Sequence, residues 1–94
     1  MTDLLGVPKF ALGDIYTTPG AHELIEQGLI ADLYLDRHWR GDWGDIDAED
    51  AELNNQAIKR EERLLSSYST TMGRIWILTE ADRSTTTILT PEEY

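Results

Sequence analysis

Apolar positions change their period about two-thirds of the way along the chain. Up to residue 60 they recur at helical spacing, and from Leu64 onward they alternate. Phe10 to Tyr16 is mixed apolar with Gly13 at its centre. It reads as a short N-terminal edge strand, since glycine weakens a strand and often marks a bulge. Thr18-Pro19 then starts a helix: threonine caps, and proline takes the first helical position, where a missing N–H is harmless. Ala21 to Gln27 continues it, Leu24 and Ile25 face the core, and Gly28 ends it. Leu29 to Trp39 predicts a second helix. Its face runs through Leu29 and Leu33 to Asp36 or Arg37, with Ile30, Tyr34 and His38 alongside. Gly41 to Asp45 is a turn-rich loop around Trp43. Asp47 caps a third helix, with Asp50 three residues on in an acidic form of the capping box. Acids lead that helix and Lys59 and Arg60 close it, as the helix dipole favours. Its apolar stripe is thin: Ile46, Leu53, Ala57 and Ile58.

Leu64–Thr70, Arg74–Thr79 and Ser84–Thr90 are rich in Thr, Ile, Leu, Tyr and Trp, which suit strands. Thr71 to Gly73 and Glu80 to Arg83 are turn-length connectors. Ile75 and Ile77 point one way, and Trp76 and Leu78 the other, so both faces of the middle strand call for cover. Thr85 to Thr87 reads as an edge or half-exposed strand. Thr90-Pro91-Glu92-Glu93 looks like one more capped turn. The expected fold class is α+β: N-terminal helices packed on a three-stranded antiparallel meander, with the short N-terminal edge strand. No linker or repeat divides residues 1–94, so one domain is expected.

Composition narrows the functions. The 94 residues hold 18 Asp+Glu and 8 Lys+Arg, a net charge of −10, with no cysteine. Such a charge argues against direct binding to nucleic acid or an anionic membrane. Cysteine-based zinc sites and disulfides are excluded. No apolar run approaches a membrane span, and the first residues lack the marks of a secretory signal, so a cytoplasmic location is expected. The first 58 residues carry −9 of the −10, and Asp42 to Glu52 packs six acids into eleven positions without a base.

That block supplies the candidate partner-binding residues: Asp42, Trp43, Asp45, Asp47, Glu49, Asp50 and Glu52. Its alternating acids resemble the start of a calcium loop, but the sixth position is Asp50 where glycine is needed, and the twelfth is Gln56 where glutamate is needed. A helix start with a solvated acidic face is the simpler reading. Trp43 is either core or an interface anchor. Glu80, Asp82 and Arg83 form a tight charged connector, read either as a hairpin turn with a local ion pair or as a presented contact loop. His22 and His38 are the only histidines. A His38–Asp42 pair suits a general base or weak metal site, and surface or packing roles are the plainer alternative. Glu61, Glu62, Glu80 and Asp82 are paired carboxylates in a chain too short for a sugar cleft. No nucleophile elbow, phosphate loop or zinc-helix motif occurs, so no enzyme, cofactor or metal is expected.

Several segments carry a resemblance. They are Phe10-x-Leu-Gly-Asp-Ile with Thr18-Pro19-Gly20-Ala21, Arg37-His38-x-x-Gly41-Asp42-Trp43-Gly44-Asp45, Arg63-Leu64-Leu65-Ser66-x-Tyr68, and the run from Ile75 to Tyr94. Together they resemble a group of short acidic proteins of bacterial plasmids and integrative elements, often called plasmid-related proteins and sometimes labelled type I restriction subunits. The helix from Asp47 to Arg60 is less basic than that group's. The resemblance implies a bacterial cytosol and a mobile-element setting, and it assigns no activity. The leading expectation is a non-enzymatic interaction protein that inhibits a basic, nucleic-acid-binding defence protein by presenting carboxylates in place of phosphates. The alternatives are a structural or regulatory accessory, acting as a homodimer or partner subunit through Trp76, Tyr68 or the Thr85–Thr87 edge, and a small metal-dependent hydrolase using His38.

Overall fold

The computed structural model describes residues 7–94. Three helices lie against a four-stranded mixed sheet. The chain runs through β1 (Asp14–Thr17), α1 (Pro19–Glu26), α2 (Ala31–Trp39), α3 (Ala48–Arg60), β2 (Leu64–Thr70), β3 (Gly73–Thr79) and β4 (Thr85–Leu89). A 3-10 turn follows at Pro91–Glu93.

Local signals set most boundaries. The Thr18 side chain accepts the Ala21 amide at the start of α1, with Pro19 in the first turn. At its end Leu29 N–H bonds Leu24 C=O and Gly28 N–H bonds Ile25 C=O. That paired closure needs the positive φ of Gly28, 115°, and it buries Leu29 beside Leu24. Helix α2 therefore begins at Ala31, two residues later than its periodicity suggests. Its inner face is Ala31, Tyr34, Leu35 and His38, while Leu33 stays in solvent. In α3 the inner positions are Ala51, Asn54, Ala57 and Ile58, and Leu53 is exposed.

Strands β2, β3 and β4 form the expected antiparallel meander. The sheet as a whole is mixed, because β1 pairs in parallel with β4, giving the order β1-β4-β3-β2. Thr85–Thr87 is thus an interior strand and not an edge. Its threonines tolerate that position because Thr86, fully buried, bonds the Thr79 hydroxyl and the Leu12 carbonyl.

The helix-side face of the sheet carries Leu64, Ser66 and Tyr68 of β2, Ile75, Ile77 and Thr79 of β3, and Thr86 and Ile88 of β4, all buried. One apolar cluster lies under α1 and α2, around Tyr68, Ile75 and Ile77. A second lies by α3, around Trp43, Ala57 and Leu64. Trp76, Leu78 and Leu89 face the opposite side, where Tyr94 meets Trp76 edge-on at 5.3 Å. Tyr68 and Trp76 therefore occupy opposite faces, and Tyr68 is buried, so the two do not form a shared dimer surface.

Candidate functional site

The acidic block divides into carboxylates that build the fold and carboxylates that face solvent. Asp42 belongs to the first kind. Its oxygens take the Arg37 Nε at 2.7 Å and Nη2 at 3.3 Å, and the Gly44 amide at 3.2 Å. The Arg37 hydrogen bonds hold the Asp42 carboxyl below its ordinary range. The same guanidinium lies 4.8 Å from the centre of the Tyr68 ring, and the Tyr68 hydroxyl donates to the Asp42 carbonyl at 2.6 Å. Burial pushes the Tyr68 phenol up.

Trp43 is 5% exposed. It stacks on Phe10, and its Nε1 donates to Asn55 Oδ1 at 3.0 Å. It is core, and the surface-anchor reading is corrected.

Asp45 closes a sheet edge. Strand β2 lies at the end of the sheet, with outward backbone groups at Leu65, Ser67 and Ser69. Asn54 of α3 answers Leu65 twice, donating to its carbonyl at 2.8 Å and accepting its amide at 3.3 Å. The loop backbone answers Ser67: its amide bonds Trp43 C=O, and its carbonyl takes the Asp45 amide. The Asp45 carboxylate accepts the Ser69 amide at 3.1 Å, and hydrogen bonding from the Ser69 hydroxyl and amide lowers its pKa. Gly44 makes this approach possible. At φ 79° it lies so close to Ser67 and Tyr68 that a Cβ would collide with both. Asp47 is the N-cap of α3, accepting the Asp50 amide at 2.8 Å.

Glu49, Asp50 and Glu52 remain. All three are exposed on the first two turns of α3, and no ion pair among the described residues engages them. Beside them a pocket of about 270 Å³ is lined by Ile46, Asp50, Leu53, Asn54 and Leu65.

The Glu80–Arg83 connector lies elsewhere. Arg83 donates to Ala57 C=O at 3.0 Å, in the last turn of α3, and to Glu62 C=O at 2.6 Å, just beyond it. It also bonds Glu80 C=O and Ala81 C=O in its own turn. A 13-residue helix is roughly 20 Å long, so this connector and the exposed acids stand at opposite ends of α3. Glu80 pairs with Arg63 at 3.2 Å. Asp82 takes the Ser84 amide and hydroxyl, which lower its pKa. The connector is a self-bonded hairpin turn, with Arg83 turned inward in place of a presented contact.

The His38–Asp42 pair does not form. His38 is fully buried; Nδ1 meets Ser66 Oγ at 2.5 Å and Nε2 meets Thr79 Oγ1 at 2.8 Å. Burial, with the Arg83 charge adding, lowers its pKa to about 3. A ring closed off from solvent with both nitrogens engaged is no general base for an external substrate, so the hydrolase reading through His38 is corrected. Among the described residues, no three His, Cys, Asp or Glu side chains come together as metal ligands. This buried polar chain is what periodicity missed. Its signal is a polar residue at each of several core positions: Ser66 between Leu64 and Tyr68, then Thr79 and Thr86 in their alternating strands.

No family model matches the chain, and no curated protein or solved structure matches it. No helix among the described residues is long and apolar enough to cross a membrane.

Proposed function

We propose that the chain is a non-enzymatic acidic interaction protein of a bacterial mobile element, acting in the cytoplasm on a basic, nucleic-acid-binding host defence protein. The observation that supports this reading is the division of the acidic block. Asp42, Asp45 and Asp47 are tied to backbone or arginine. Glu49, Asp50 and Glu52 are exposed and in no ion pair among the described residues; Glu52 only accepts the Gln56 side-chain amide at 3.4 Å, and the capped helix fixes their spacing. Carboxylates on a rigid element can occupy a cationic channel in place of phosphates, and the excess negative charge speeds the encounter. A helix start favours acids by roughly 0.3–1 kcal/mol each, which accounts for Glu49 and Asp50 but gives Glu52, on the second turn, little.

The test is affinity purification from a bacterial host, followed by binding measurements on the captured protein with a Glu49→Gln/Asp50→Asn/Glu52→Gln triple variant. Asp45 and Asp47 are left intact because the fold uses them. The expected partner binds nucleic acid, is displaced by DNA, and loses roughly tenfold or more in affinity for the variant, on the scale of a few desolvated charge pairs. Capture of no such protein, or equal binding by the variant, overturns the reading.

A further inference from the structure

The two sheet edges are treated in opposite ways. The β2 edge is closed by Asn54, the Trp43–Asp45 backbone and the Asp45 carboxylate. At β1 every residue is exposed. Asp14 and Thr18 donate their amides to Ser84 and Ile88 of the β4 side. Backbone groups alternate along a strand, so those of Ile15 and Thr17 point away from the sheet. A groove of about 460 Å³ runs beside this edge, walled by Ile15, Ile25, Leu29, Ile30 and Leu35. Ile15 is 47% exposed, Tyr16 55% and Ile30 61%. An open strand edge beside an apolar groove is the arrangement that takes up an added strand: main-chain bonds supply affinity, and alternate side chains fill the groove.

Charge selects the occupant. Residues 14–35 build the β1, α1 and α2 sides of the groove and hold Asp14, Glu23, Glu26 and Asp32, with no lysine or arginine. Asp32 is the charged residue of the groove lining. A second copy would bring the same acids, and a second net charge of −10, against them. We propose that the β1 edge binds an extended segment of another protein, apolar at alternate positions and carrying lysine or arginine between them. This surface is separate from the acidic face of α3.

The probe is a random phage-displayed peptide library of about 12 residues, panned on the full chain. Enriched peptides are expected to alternate apolar residues with Lys or Arg and to shift the amide resonances of Ile15 and Thr17. Thr17→Pro removes the outward amide, along with a groove-lining side chain and some freedom of the strand, and is expected to weaken binding roughly tenfold or more, while Thr17→Ser, which keeps the amide, binds normally. If Thr17→Pro fails to fold, Ile15→Lys replaces it and repels the basic peptide. The α3 triple variant is expected to bind the peptides unchanged, which separates this proposal from the one above. An unenriched library, peptides indifferent to both β1 variants, or peptides lost with the α3 variant overturns it. So does a dimer of the chain formed through β1, or binding that appears only after residues 1–6 are removed.

Discussion

At the scale of single residues, the buried polar chain has only one consistent arrangement of protons. The Thr86 hydroxyl gives its hydrogen to the Leu12 carbonyl, so it must accept from Thr79. Thr79 has then spent its hydrogen and must accept from His38 Nε2. Nδ1 is left as an acceptor for the Ser66 hydroxyl. His38 is therefore neutral with its proton on Nε2, and nitrogen chemical shifts of the imidazole will show that tautomer. Thr79→Val keeps the shape and removes both roles at once, leaving His38 Nε2–H without an acceptor and Thr86 Oγ1 without its donor. It should lower stability by about 1–3 kcal/mol in urea unfolding. The pH dependence has a definite sign. His38 titrates near 3 in the folded protein, against 6.5 as its ordinary value, so the unfolded chain takes up its proton first. Stability should fall as pH drops below about 6.5, by up to about 1.4 kcal/mol per pH unit while only the unfolded form is protonated. A His38→Gln variant, less stable at pH 7, should lose that part of the slope between pH 6 and 4.

At the scale of elements, edge protection and helix ends decide which substitutions matter. Asn54 sits at an inner position of α3 and stands in for a neighbouring strand at Leu65. Asn54→Leu would bury a larger apolar group yet leave two backbone groups of β2 unanswered. A loss of about 2 kcal/mol is expected, with self-association at high concentration as the β2 edge opens. Glu61 ends α3 at φ 55°, a conformation glycine adopts without strain. Glu61→Gly should raise stability by about 0.5–1 kcal/mol. Sequence alone made the helices readable because their signals are local: Thr18 with Pro19, Asp47 with Asp50, and Gly28. The β2-β3-β4 hairpins were readable for the same reason. The β1–β4 pairing was not, since alternation announces a strand but not its neighbour, and those strands lie about 70 residues apart. The fate of the acids was equally hidden. Asp45 and Glu52 look alike in a charge count; only the arrival of Ser69 beside one of them separates a carboxylate that closes a strand edge from one exposed on its own helix.

At the scale of the whole molecule, the C-terminal turn and the charge act against each other. Glu93 gathers the Thr90 amide and hydroxyl, the Gly20 amide at 2.8 Å and the Thr18 hydroxyl, fastening the C-terminal turn to the start of α1. Those bonds, led by Thr18, hold its pKa near 2, so this clasp is lost only as pH falls well below the usual carboxylate range. The net charge of −10 opposes compaction at neutral pH. The radius of gyration is 12.7 Å, well inside the roughly 30 Å reach of electrostatics at 0.01 M salt and beyond the roughly 3 Å reach at 1 M. Added salt therefore screens repulsion across the whole fold. It also weakens exposed pairs such as Arg63–Glu80, but surface pairs contribute only about 0–1 kcal/mol each. Repulsion among an excess of ten acids outweighs them. Sodium chloride raised from 0.01 to 0.5 M should increase the melting temperature by several degrees, since about 1 kcal/mol corresponds to roughly 4–8 °C at this size. Binding to a basic partner through α3 should weaken over the same range, because that attraction is screened too. A fold that strengthens while the complex weakens is what a charge kept for a partner, at the expense of stability, must show. A complex whose affinity ignores salt would place its interface away from Glu49, Asp50 and Glu52.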